Sequence, residues 1–114
     1  MKERFDIARL AQDVRHKRGE RGLREVADEI GVAFKTVQRI EAGYLPHVDT
    51  LTLFTAWLNK NAADYFIVDD SDHSQVAVQL RAMKKMSTET AAAFMDVIRA
   101  IYSDILTTSE EETA

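Results

Sequence analysis

The sequence predicts an all-α fold, and three observations predict it. Apolar residues recur mostly three and four positions apart, which is the period of one helix face. Four glycines and one proline are too few for the many turns that a sheet of short strands requires. The glycines also stand where helices would start or stop, at positions 19, 22, 31 and 43. With 114 residues, 46% of them apolar and 30% charged, the chain can build one compact domain with a real core and still carry an appendage. Disorder of the whole chain is excluded.

The first helix is expected from Glu3 to Arg18, because Ile7, Leu10, Ala11 and Val14 form one apolar stripe. Gly19 ends it. A second, shorter helix starts after Gly22, a tolerated N-cap, with Glu25 placed to supply half of a capping box. Leu23, Val26, Ala27 and Ile30 make its inner face, and Gly31 is placed to take the left-handed conformation that stops it. The third helix runs from Phe34 to Ala42, with Gly43 as its stop. Two short helices joined by so brief a turn containing Gly are a helix-turn-helix candidate.

"YLPHVDT" is a loop, since Pro46 keeps its predecessor out of the helical region and commonly precedes a helix start. The fourth helix, from Val48 or Asp49 to Asn59, carries Leu51, Phe54 and Leu58 on one stripe and Leu53 with Trp57 on a second. That is too wide a face for one neighbour. "NAADYF" reads as a fifth short helix with Asn61 as its cap and Asp64 in its first turn.

The run "IVDDSD" marks the boundary. The expected organisation is an N-terminal five-helix domain at 1–67, a linker at 68–72, a helical pair at 73–107 and a flexible tail at 108–114. In the pair, His73 to Met86 presents Val76, Leu80 and Met83, and Asp70 or Asp72 serves as cap. The last helix, capped by Ser87 and running to Leu106, places Ala91, Phe94, Ile98, Ile101 and Ile105 in a seam that wants a partner helix. Since the N-terminal domain is complete without it, Phe94, Ile98, Ile101, Tyr102 and Ile105 are the expected dimer contacts, the alternative being that the seam buries itself in a seven-helix monomer.

Net charge is −4, which at first argues against a nucleic-acid partner. Its distribution reverses that argument. Residues 1–66 hold eleven Lys or Arg against ten Asp or Glu, and residues 67–114 hold four against nine, so the acidity lies in the second half. Within the first half "RHKRGERGLR", residues 15–24, carries five cations against Glu20 alone. The absence of cysteine removes any disulfide framework or thiolate metal site. The N-terminus "MKERFDIARL" has no apolar leader core, and the longest apolar run, "AAAFM", is far short of a membrane span. A cytoplasmic, nucleoid-associated protein without a membrane partner is expected.

On the third helix at about 100° per residue, with Phe34 at zero, Val37 and Ile40 point to about 300° and about 240°, the inner side. Gln38, Lys35 and Arg39 then fall at about 40°, about 100° and about 140°, on the outer side. This arc suits a DNA major groove, where Gln can pair with adenine and Arg or Lys with guanine, while an aromatic edge can touch a thymine methyl.

Over residues 5–66 the chain resembles the XRE family, the Cro and C1-type regulators of bacteria and phages. The resemblance is carried by "VADEIGV" for the second helix and turn, "KTVQRIEAG" for the recognition helix and its end, and Pro46 followed by "TLTLFTAWL" for the fourth helix. It implies a five-helix domain that binds operator DNA, usually as a dimer. It also implies base contacts from Phe34, Lys35, Gln38 and Arg39, and phosphate contacts from Leu23, Arg24, Tyr44, Leu45 and His47. Thr36 and, from the basic run, Arg18 and Arg21 complete the expected phosphate set. Glu41 is expected to pair with a basic residue of the first helix, Arg15 or His16. Two positions depart from the family pattern: Gly22 replaces a polar cap, and Ala33 with Phe34 replaces the usual polar opening of the recognition helix.

No catalytic set or cofactor site is expected. "DDSDH" fails as a calcium loop, because from Asp69 the sixth and twelfth positions are Ser74 and Leu80 instead of Gly and Glu. His16, His47 and His73 are widely separated in sequence. The expected function is therefore that of a non-enzymatic, sequence-specific DNA-binding transcriptional regulator, a repressor that grips a pseudo-palindromic operator as a homodimer. The alternative is a protein-interaction partner, for instance an antitoxin, whose C-terminal helices bind a second protein while the first half regulates its own operon.

Overall fold

The computed structural model describes the backbone of residues 4–113 and the side chains of residues 5–107. It is mostly helical, and the chain divides into two compact units, 7–60 and a second made of the N-terminal residues to Asp6 with those from Asn61 onward.

The first unit contains α1 (Ile7–Arg18), α2 (Leu23–Ile30), α3 (Phe34–Glu41) and α4 (Val48–Leu58). Its core is the set that the helical spacings select: Leu10, Ala11 and Val14 from α1, Val26, Ala27 and Ile30 from α2, Val37 and Ile40 from α3, and Leu51, Phe54 and Leu58 from α4. α3 packs on both α1 and α2, and α4 packs on α1 and α2. The turn between α2 and α3 is only residues 31–33. It closes because Gly31 takes φ 94°, ψ 35°, a left-handed geometry that costs a residue with a Cβ about 1–2 kcal/mol. In that geometry the Gly31 and Val32 amides both donate to the Ala27 carbonyl, at 2.8 and 3.0 Å. Gly43, at φ 96°, ends α3 in the same way. Leu53 lies exposed, and Trp57 is half-buried beneath the Lys17 ammonium, 4.7 Å from the ring centroid.

The second unit is built on a two-stranded antiparallel ribbon, β1 (Arg4–Phe5) with β2 (Phe66–Ile67). The expectation that the first helix begins at Glu3 is corrected here: Arg4 and Phe5 are extended and paired, and Glu3 lies outside the described residues. Helical geometry explains this, since two residues before Ile7 a helical Phe5 would point about 200° away from it, off the apolar stripe. As a strand residue it enters an aromatic cluster, with ring centroids 5.9 Å from Tyr65, 5.3 Å from Phe66 and 5.0 Å from Tyr102. Tyr102 is fully buried, and that burial pushes its phenol pKa upward.

"NAADYF" is likewise not an α-helix but a 3-10 turn, Ala62–Tyr65, that runs straight into β2. Its cap is Asn61 as expected: Oδ1 accepts from the Ala63 amide at 2.9 Å. The same side chain donates through Nδ2 to the Met83 carbonyl at 2.7 Å. A buried amide satisfied on both sides ties this turn to the end of α5 (Gln75–Lys84). The division of the chain thus falls at 60/61, ahead of the expected boundary at 67.

α5 is capped by Ser74, whose hydroxyl accepts from the Ala77 amide at 3.2 Å, in place of the expected Asp70 or Asp72. The single last helix of the sequence reading is two: α6 (Thr88–Ala92), capped by Ser87, and α7 (Met95–Thr113). Between them the Ala93 and Phe94 amides reach back only three residues, to the Thr90 and Ala91 carbonyls, which tightens the turn. The backbone of the expected tail is helical as far as Thr113, and Ala114 lies outside the described residues.

The seam residues of α7 are also reassigned. Ile98, Ile101, Tyr102 and Ile105 are all buried inside this unit, and of the five expected dimer contacts Phe94 alone is exposed. The physical reason is that the β1–β2 ribbon of the same chain supplies partner surface: α7 packs on β1, and the rings of Phe5 and Phe66 lie 5.0 and 6.3 Å from that of Tyr102. Among the described residues no helix is long and apolar enough to cross a membrane.

Candidate nucleic-acid interface

α3 turns Val37 and Ile40 inward and leaves Lys35, Gln38 and Arg39 exposed, with Phe34 and Thr36 half-buried at the margins. The short helix is held from both ends by its glycine turns and from below by α1 and α2. Neither Gly22 nor Ala33 offers a side chain to the first-turn amides of α2 or α3; in α3 the Thr36 amide is met by the Ala33 carbonyl at 3.0 Å.

Glu41, the one carboxylate of α3, is turned away from that arc. It accepts both Nε and Nη2 of Arg18 at 2.8 Å each. This bidentate ion pair holds side chains that are 24% and 10% exposed. The hydrogen bonds that Arg18 donates to the Glu41 carboxylate raise the Arg18 pKa above its ordinary value. The expected partner was Arg15 or His16; Arg15 reaches only the Glu41 backbone carbonyl, at 3.1 Å. Arg18 wins because it lies seven residues after Ala11 and four after Val14, so it continues the buried stripe of α1 while Arg15 and His16 turn outward.

Much of the basic run is engaged in the same manner. Arg18 also donates to the Arg21 carbonyl at 3.0 Å. Arg21 pairs with Glu29 at 2.6 Å and donates to the Lys17 carbonyl at 3.1 Å. Lys17 donates to the Trp57 carbonyl. Arg18 and Arg21, two of the expected phosphate ligands, therefore already hold carboxylates of their own unit.

Three cations differ. Arg24, Lys35 and Arg39 are exposed and have no carboxylate partner among the described residues. Two of them lie over aromatic rings, Arg24 at 4.7 Å from the centroid of Phe34 and Arg39 at 5.3 Å from that of Tyr44. Tyr44 is 59% exposed. Sequence reasoning missed both stacks, because each joins residues from different elements and no periodicity links them.

Beside the end of α3, Thr36, Arg39, Tyr44, Leu45, His47 and Thr50 line a cleft of about 280 Å³ floored by Ile40 and Pro46. The structure thus brings Thr36, Arg39, Tyr44, Leu45 and His47 together there, with Arg24 and Phe34 at the opposite end of α3. Leu23 is half-buried at the first position of α2. Among the described residues no group of three or more His, Asp or Glu is placed to hold a metal ion. Compared with known protein families, curated proteins and solved structures, the chain matches none of them.

Proposed function

We propose that this chain is a sequence-specific double-stranded DNA-binding regulator of transcription that acts by occupying an operator, with α2 and α3 as its helix-turn-helix and α3 as the reading helix. The observation that carries the reading is the outer arc of α3: Lys35, Gln38 and Arg39 are exposed together while Glu41 is neutralised by Arg18. A rigid helix that offers two cations and an amide, with no carboxylate among them, complements the acceptor-rich edge of guanine and the donor–acceptor edge of adenine. Arg24 and the cleft residues Tyr44 and His47 flank the arc as donors for the phosphate backbone.

The test is selection of bound sequences from a random duplex pool by the full chain at moderate salt. Enrichment of a motif that depends on Arg39 supports the reading, and failure to enrich any motif with folded protein rejects it. An inverted repeat with half-sites about 34 Å apart would report a dimer. Such a dimer would have to use contacts other than Ile98, Ile101, Tyr102 and Ile105, which are occupied within one unit.

The second reading, a protein-interaction role for the unit from Asn61 onward, draws on the exposure of Ile67, Val78 and Phe94. Co-purification with the products of neighbouring genes decides it. A stoichiometric companion favours it, and a lone DNA-binding chain counts against it.

A further inference from the structure

We infer that Phe34 is a positioning residue for the Arg24 guanidinium and does not itself read a base. This rests on the DNA-binding reading above. Phe34 opens α3 and is half-buried, so the fold fixes its ring. Arg24 is the second residue of α2, is exposed, and lies with its guanidinium 4.7 Å from the ring centroid, inside the ~6 Å range of a cation–π contact. The guanidinium lies over the ring face, so the half-buried ring has only its edge left for a thymine methyl. What the pair presents outward is the cation.

An arginine side chain loses about 2 kcal/mol of rotamer freedom when it is fixed. A guanidinium already seated on a ring has lost part of that freedom before DNA arrives, so less is lost on binding. The ring contact also uses none of the guanidinium N–H donors in a conventional hydrogen bond, so they remain for phosphate oxygens. Phe34 therefore strengthens DNA binding through Arg24, at a phosphate, and its contribution carries no sequence preference.

The two roles for Phe34 separate in a double-mutant cycle on the full chain. Binding of fluorescent duplexes, one selected and one scrambled, is titrated over a range of salt for Phe34→Leu, Arg24→Ala and the double variant. Phe34→Leu should weaken both duplexes by the same factor, about two- to fivefold, and flatten the salt dependence. In an Arg24→Ala background it should add nothing. Phe34→Trp, which keeps a ring, should retain affinity.

Arg24→Lys changes only an exposed side chain and keeps the charge while giving up the guanidinium that lies over the ring. It should reproduce the Phe34→Leu loss, which keeps the test decisive even if Phe34→Leu perturbs the helix pair. Loss of preference at a single base pair in Phe34→Leu, or full additivity with Arg24→Ala, would overturn the inference and leave the DNA-binding reading standing. If the unmodified chain binds neither duplex at low salt, both fall together.

Discussion

The cations of α1 and the turn after it, and those that border α3, are the same residue types in one small unit, yet they face different things. Arg18 and Arg21 each hold a carboxylate, and Arg15 and Lys17 each donate to a backbone carbonyl. Arg24, Lys35 and Arg39 have no carboxylate opposite them among the described residues, and two of them lie on aromatic rings. The denser cluster in the sequence is thus the one already used by the fold. Charge density along a chain locates cations, but what is packed against each one decides whether it remains available to a ligand.

Removing a cation from the first group should damage the fold, and the largest effect is expected at Arg18. Arg18→Ala leaves Glu41, 10% exposed, without its bidentate partner, a loss of about 2–3 kcal/mol for charged hydrogen bonds broken in a partly shielded site. The denaturant midpoint should fall accordingly. Any loss of DNA affinity should be no greater than the unfolded fraction explains. An unchanged midpoint together with a reduced salt dependence of DNA binding would show that Arg18 belongs to the other group.

Arg39→Ala should do the reverse. Discrimination at one base pair should drop by about 1–3 kcal/mol, read by competition between selected and single-site variant duplexes. Thermal stability should hold, because Arg39 is exposed and touches the fold chiefly through Tyr44. A uniform loss across all sequences would move Arg39 from base reading to phosphate contact and sharpen the assignment of the cleft beside it.

The four helices of the 7–60 unit were legible because each has a stripe at helical spacing and three of their ends are glycines with positive φ. Gly31 and Gly43 needed no tertiary information to be placed. The second unit was less legible. A two-residue strand has no periodicity, so the pairing of Phe5 with Phe66 could not be read from either segment alone. The seam of α7 was real, but a seam states only that something covers it, and the covering surface came from distant parts of the same chain. In the candidate site, the exposure of Lys35, Gln38 and Arg39 followed from helix geometry. The Arg18–Glu41 pair was within reach too, since extending the α1 stripe by one turn selects Arg18. The stacks on Phe34 and Tyr44 depend on how separate elements meet, which no local pattern encodes.

Arg21 gives a smaller test of the same division. Its partner Glu29 is half exposed, and surface ion pairs contribute about 0–1 kcal/mol. Arg21→Ala should therefore shift the denaturant midpoint only slightly and leave the salt dependence of DNA binding unchanged. A flattened salt dependence in Arg21→Ala would show that Arg21 exchanges Glu29 for phosphate when DNA binds.

The smallest effect extends the comparison from cations to anions. Asp69 accepts from the Ser71 amide at 2.9 Å and its hydroxyl at 2.8 Å, and Asp72 accepts from the Ser74 amide at 2.9 Å. These backbone hydrogen bonds are the main reason that both carboxyls are held below their ordinary value of 3.8, with the positive charge of Arg81 assisting. A carboxylate whose folded-state pKa is depressed contributes stability above its unfolded pKa and loses it as pH falls through the folded value. Asp69 is exposed and Asp72 half-buried near the surface, so the contribution is slight, but its direction is fixed. In an NMR titration the Asp69 and Asp72 carboxyls should have midpoints below 3.8. The stability difference between the unmodified chain and Asp72→Asn should shrink as the medium is acidified past that point. A difference that stays constant with pH would mean that the Asp72 turn, and the Ser74 cap that follows it, hold without the charge.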